Sequence, residues 1–404
     1  MSTLARSAAH LPLRASAFPK LVSDVVVHLQ HFARRRERWW RPAFDALLAR
    51  PLELTVQALL MRSLGDPQLW LAEERLLPDE ERVAREIADT MSVFLAREYR
   101  GKVAERAGNT KTYGLVRGTF EVNAELAPEL RVGVFQPGRS YPVWVRCAGP
   151  GPRVANDLDD NGVMSLAIKL MGVPNEKLAA DERHTQDFLL ISAPTFTTPN
   201  AIENLKLQHE IGRDRPAWYF LDPRNSHLLD AIMQGLYAKS YSNPLEFPYY
   251  SCVPYLFGEG RAVQYALSPV ASGHARLPRR PGADYLREAM VATLGTREVV
   301  FDFTVQLQTD ARRMPIENAA VIWPVAESPR RPVARLVLPR QKFDSPAQRA
   351  FARNLRFDPW HALPEHRPLG NQNRARRIVY RTTAAKRQAM NADAHVEPIG
   401  HERF

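Results

Sequence analysis

Three short segments collect side chains that could grip a small anionic ligand and act on it. The first holds Arg106, Asn109, Lys111, Tyr113 and Gly114, the second runs from Tyr141 to Arg146, and the third passes from Arg356 through Trp360 and His361 to Arg367 and Gly370. Arg106, Arg146, Arg356 and Arg367 offer planar forks of donors suited to carboxylates, propionates and phosphates. His361 carries an imidazole that can ligate a metal, which the Trp360 indole cannot. Asn109 and Thr185 can hydrogen-bond a ligand, but neither titrates near neutrality, so neither can relay a proton.

With 404 residues, 45% of them hydrophobic, the chain can build one large domain or two smaller ones around a substantial core. The net charge of +11 reads first as a solvated basic surface, with an anionic partner as the alternative and no nucleic acid expected. Cys147 and Cys252 stand far apart in no metal-binding or disulfide pattern, so buried inert thiols are expected. Apolar runs fall short of the roughly 20 residues that span a bilayer; the longest, Leu52 to Met61, contains Glu53, Thr55 and Gln57. A soluble or peripheral protein of the cytoplasm is expected, and the acid-free first 23 residues read as a flexible terminus.

The elements that must position these side chains follow from periodicity. Residues 21–75 read as helices around the basic, aromatic run at 34–41, which either packs on its own domain or makes peripheral membrane contact. A helix is expected from Pro78 to Tyr99, with Val83, Ile87, Met91, Phe94 and Leu95 on one face and acids in its first turn. The period then changes to two, predicting a strand over Tyr113–Val122 and others at 131–135, 142–147, 166–171, 187–191, 262–267, 299–309 and 333–338. Further helices are expected at 201–211, 228–238 and from Pro346 to about Leu355, and the polar stretch 385–404 is expected to fray. The division that results is a basic helical extension over 1–78, a β-barrel domain over 79–345 and a C-terminal segment over 346–404.

From about Asp79 to Asn391 these motifs, in this order, resemble the catalase superfamily, especially its short bacterial haem proteins. Gly114 to Phe120, Leu166 to Val173, Thr185 to Ile191, Met314 to Ala319 and Pro364 to Gly370 carry the resemblance jointly. It implies an α+β fold: an eight-stranded antiparallel barrel wrapped by helices, with a buried haem b. It also implies self-association without fixing a number of subunits. On the distal side Arg106 matches, but the histidine position is Asn109 and the asparagine position is Thr185. On the proximal side the family writes Arg, three residues, then a Tyr whose phenolate ligates iron. Arg356 is followed at that spacing by Trp360, and counting back from Leu369 and Gly370 puts His361 there instead. Arg106, Arg146 and, within one residue, Arg367 match arginines that pair with haem propionates.

Ordinary catalase activity is therefore expected to be absent or very low. The resemblance implies a haem protein converting organic or lipid hydroperoxides, as catalase-like allene oxide synthases do by rearrangement. The alternative is a haem-free pseudoenzyme that binds an apolar, anionic ligand or docks on a membrane.

Overall fold

The computed structural model describes residues 17–62, 70–160, 162–271 and 276–404. Residues 1–16 of the expected flexible terminus lie outside them, and from Ala17 onward the chain is already helical. Helices α1 (Ala17–Arg35), α2 (Glu37–Phe44) and α3 (Arg50–Arg62) form an N-terminal layer. A π-helical turn at Asp45–Ala49 joins α2 to α3, between Pro42 and Pro51, which cannot donate to the helical ladder. From Trp70 to Asp79 the chain is irregular, where helix had been expected to Arg75.

Helix α4 (Glu80–Glu98) keeps the expected bounds and buries Val83, Ala84, Ile87, Ala88, Phe94 and Leu95 on one side, with Glu80 and Glu81 at its positive end. Beyond it run β1 (Thr112–Val122), β2 (Ser140–Ala148), β3 (Ser165–Met171) and β4 (Thr185–Ile191). Three helices follow, α5 (Ala201–Gly212), α6 (Trp218–Leu221) and α7 (Leu228–Tyr237). The short β5 (Tyr249–Tyr250) and β6 (Tyr255–Leu256) lead to β7 (Ala262–Pro269), α8 (Tyr285–Thr296), β8 (Val299–Leu307) and β9 (Arg331–Leu338). Helices α9 (Pro346–Asn354) and α10 (Asn371–Asn391) complete the described elements.

The strands pair in the order β5-β4-β3-β2-β1-β9-β8-β7, and β5 also pairs with β7, which closes an eight-stranded antiparallel barrel. The α+β fold class expected from the sequence is the one observed. Val116, Phe120 and Val122 of β1 point inward, and the rings of Phe120, Phe188, Tyr265 and Phe303 meet at centroid distances of 4.9–6.0 Å. His366 closes this core edge-on to Phe135 at 5.2 Å, and burial pushes its imidazole down to about 4. Because side chains fill the interior, space for a ligand has to lie against the barrel's outer wall.

Two further expectations fail. Residues 131–135 form turns rather than a strand: Gly133 takes a φ of +51° and lies against the His366 ring, where a Cβ would collide. The stretch 385–404 does not fray. It completes α10 and then docks, with Glu397 accepting from the Arg183 amide at 2.9 Å and Glu402 from the Trp144 indole at 2.9 Å. Phe404 packs on Phe351 at 5.1 Å. Cys147 and Cys252 are buried free thiols, both pushed up by burial, Cys147 to about 12, so neither is reactive.

Candidate functional site

A cavity of about 770 Å³ lies between the outer wall of β2, β3 and β4 and the helices that cover it. That volume is within the roughly 300–1,000 Å³ of cofactor and small-molecule sites. The barrel contributes Arg146, Ser165, Ala167 and Leu189, while α4 contributes Ile87 and Met91. Helix α10 presents one continuous face, with Ala375, Arg376, Val379, Tyr380, Thr383 and Arg387 repeating at intervals of three or four residues. Helix α1 closes the far side with Val26, Val27 and Gln30, and His31 is the one imidazole among the lining side chains. The N-terminal layer is therefore part of the cavity wall.

At one end stand three guanidinium groups with no carboxylate in ion-pair range among the described residues: Arg106, Arg146 and Arg387. Arg146 donates through Nε to Thr112 Oγ1 at 3.0 Å and through Nη2 to the Asn109 carbonyl at 2.6 Å. Arg106 is tied to the carbonyls of Ala352 and Leu355 at 2.8 and 2.6 Å. Arg387 reaches the Asn354 carbonyl at 3.3 Å. The Nε atoms of Arg106 and Arg387 are buried with no hydrogen-bond partner. Burial above all, then Arg146, pushes Arg106 well below the usual arginine range, and burial, then Arg387, lowers Arg146 to about 10. Burial, then Arg106 and Arg356, does the same to Arg387. A cluster of orphaned cations at the end of an apolar cavity is complementary to a carboxylate-bearing apolar ligand.

Only part of the expected site gathers here. Asn109 lines the cavity, its backbone left-handed at a φ of 47° and its carbonyl held by Arg146. Arg356 reaches the edge of the cavity, but its guanidinium is spent on Asp181 at 2.9 Å and on Gln388. Trp360 turns away and donates its indole N–H to the Asn373 carbonyl at 2.8 Å. Arg367 pairs with Glu74, so it is not the third propionate arginine. Lys111 is consumed by Asp157 at 2.7 Å and Asp284 at 2.8 Å.

Thr185 and His361 belong to a separate buried ion cluster. Thr185 Oγ1 donates to Glu182, and the His361 ring nitrogens contact Asp187 at 3.1 Å and Asp181 at 3.2 Å. Burial and Lys169 pull His361 down, but Asp181 and Asp187 outweigh both and raise it to about 10. His361 is fully buried, both of its ring nitrogens are engaged by carboxylates, and it is not among the cavity-lining side chains, so it does not present a ligand atom to the cavity. Glu182, Asp187 and His361 present ligand atoms within 4.8 Å of one another, yet the Lys169 ammonium already sits among them, 2.8 Å from Asp187. Lys169 and Asp187 are direct cross-strand partners on β3 and β4. That ammonium fills the place of a bound cation.

The spacing of Arg, three residues, Tyr does occur, at Arg376 and Tyr380, some twenty positions beyond where the resemblance had put it. Both side chains line the cavity, with the Arg376 guanidinium 5.9 Å from the Tyr380 ring centre. Arg387 lies seven residues further, on the same face of α10. The signal is present in the sequence, twenty positions beyond the register counted from Arg356 and beyond the one counted back from Leu369 and Gly370. For haem the residues fit: guanidinium groups without counter-ions for the carboxylates, apolar walls for the ring, and a phenol within the same lining for the metal. Position 109, where the resemblance implies a histidine, is an amide.

No protein-family model and no curated protein matches the chain. Among solved structures it is similar to a bacterial catalase at 15% identity and a TM-score of 0.55, over 84% of this chain and 66% of the catalase. A fungal catalase aligns at 16% identity and 0.56, over 82% and 68% of the two chains. Catalase A from Saccharomyces cerevisiae aligns at 16% and 0.55, over 80% and 68%. The chain thus spans about two thirds of the length of these catalases. What the likeness establishes is architecture: this protein has the catalase fold.

Proposed function

We propose that the protein binds haem b in the α10 cavity and converts amphipathic organic hydroperoxides by peroxidase or rearrangement chemistry, without appreciable dismutation of hydrogen peroxide. The observation that carries this reading is the set of three buried guanidinium groups without counter-ions, facing the same cavity as Tyr380. Arg106, Arg146 and Arg387 would hold the carboxylate edge by charge-assisted hydrogen bonds. Tyr380 would supply a phenol oxygen to the iron, with the Arg376 guanidinium one turn before it on the same face of α10, 5.9 Å from the ring centre. Haem held this way supplies an iron centre able to cleave an O–O bond. The Asn109 amide can orient a hydroperoxide but cannot shuttle its proton, which costs about 10²–10⁴ in a rate that needs that transfer.

The test is an absorption spectrum of protein produced with a haem precursor. A Soret band with one iron per chain is expected, lost in Tyr380→Phe while the far-ultraviolet circular dichroism is unchanged. Protein that stays colourless, or a Tyr380→Phe variant with an unaltered spectrum, overturns the assignment. One observation also favours a second reading: the orphaned guanidinium groups and apolar walls suit any long-chain carboxylate equally well. A large thermal shift with a fatty acid in iron-free protein that takes up no haem would select that reading.

A further inference from the structure

The N-terminal layer leaves an apolar face uncovered. In α1 only Pro19 and Ser23 are buried. The helix is held by the edge-on contact of Phe18 with Trp218 at 5.9 Å, which still leaves Phe18 64% exposed, and by polar contacts, with Ser23 Oγ accepting from the Ala217 amide at 3.2 Å and Arg35 paired with Asp159 at 3.1 Å. Its inner side faces the cavity through Val26, Val27 and Gln30. On the opposite side Phe18, Leu21, Val25, Leu29 and Phe32 are 50–64% exposed, and their spacing of three, four, four and three residues makes one stripe along the helix. Trp39 continues it at 76% exposure. Single exposed apolar residues are ordinary, but a contiguous stripe of this kind marks an interaction surface.

Charge decides between the possible occupants. Within residues 17–62 the exposed charged side chains are Lys20, Arg35, Arg36, Arg38, Arg50 and Arg62, all basic. Each acid of the layer is matched by a base: Asp24 pairs with Lys20, Glu37 and Asp45 with Arg41, and Glu53 with Arg50. The Arg36 guanidinium lies 3.7 Å above the Phe32 ring and that of Arg38 lies 5.0 Å from Trp39, so cations rim the apolar stripe. A second copy docked face to face would bring like charges together. An anionic lipid surface meets both features at once.

We infer that α1 and α2 dock this protein on an anionic lipid bilayer, with the stripe from Phe18 to Phe32 and Trp39 below the headgroups and Arg36 and Arg38 among the phosphates. No described helix is long and apolar enough to cross a membrane, so the contact lies in the interface plane. This docking does not depend on what the cavity binds.

The experiment is co-sedimentation of the full chain with phosphatidylcholine vesicles, with and without phosphatidylglycerol, at low and high salt. Binding is expected only to the anionic vesicles and is expected to weaken as salt screens the arginines. The Arg36→Gln, Arg38→Gln double variant should bind about thirtyfold more weakly. Leu29→Asp with Phe32→Asp should abolish binding; both pairs change exposed side chains, and circular dichroism checks the helices. A wild-type chain left in the supernatant overturns the proposal, as does equal partition onto neutral vesicles. A concentration-dependent dimer in sedimentation velocity that the aspartate variant dissolves, with vesicle binding unaltered, assigns the stripe to a second copy and also overturns it.

Discussion

Arg387 donates one hydrogen bond, to the Asn354 carbonyl, and leaves its Nε unpaired at 3% exposure. Its folded-state pKa is depressed, so the charge it carries at neutral pH opposes folding; the penalty is complete below the folded value and fades only as pH rises toward the unfolded one. Replacing it by methionine removes a cation without stranding a carboxylate. Arg387→Met is expected to stabilise the ligand-free protein by about 1–2 kcal/mol in chemical denaturation while weakening binding of haem or a fatty acid. A loss of stability with unaltered binding would show the cluster to be structural. His361 behaves in the opposite sense. Its pKa is raised from 6.5 to about 10, so its contribution is present in full below 6.5 and lost as pH climbs through 10. The denaturation midpoint should fall across that window, and His361→Gln should flatten the fall while lowering stability at neutral pH, because Asp181, Glu182 and Asp187 lose a cation.

Element by element, the sequence was legible wherever burial is apolar. The strands β1 to β4 and β7 to β9 and the helix α4 announce themselves because Val, Ile, Leu and Phe recur at period two or 3.6. Helix α10 does not, since among the residues it buries are Asn371, Gln372, Asn373, Arg387 and Gln388. These amides do what apolar side chains do elsewhere. Asn373 donates to the carbonyls of Pro254 and Leu369 at 2.9 and 3.1 Å, and Gln372 donates to Thr198. A hydrophobic pattern cannot reveal a helix fixed by hydrogen bonds, and Tyr380 lies on such a helix, whereas Trp360 lies at the expected spacing from Arg356. Arg106, Arg146 and Asn109 were legible because they flank or lie on β1 and β2, whose register the alternation fixes. Asn373→Leu should leave the Leu369 carbonyl without its side-chain donor, while that of Pro254 keeps the Leu369 amide, and cost about 1–2 kcal/mol. Because α10 carries Arg376, Tyr380 and Arg387, the same variant should also weaken ligand retention, measured by the rate of haem transfer to apomyoglobin. An unaltered denaturation midpoint would show that α10 is held by other contacts.

At the scale of the molecule, α1 stands between two environments: its inner face lines the cavity, and its outer face carries the uncovered stripe and the arginine rim. A ligand with an apolar tail and a carboxylate head meets complementary surfaces in both places, lipid outside and Arg106, Arg146 and Arg387 inside. If the same helix brings the bilayer to the cavity wall, local concentration rather than tighter binding sets the rate for membrane-borne substrates. A long-chain hydroperoxide carried in anionic vesicles should therefore be consumed several-fold faster per haem than the same compound in neutral vesicles. Leu29→Asp should erase that difference while leaving the rate with water-soluble tert-butyl hydroperoxide unchanged, since its side chain points away from the cavity. Equal rates in the two vesicle types would separate the surface from the site. A parallel loss with the soluble substrate would instead mean that the stripe supports the cavity wall, because α1 would then have shifted at its inner residues Val26, Val27 and Gln30.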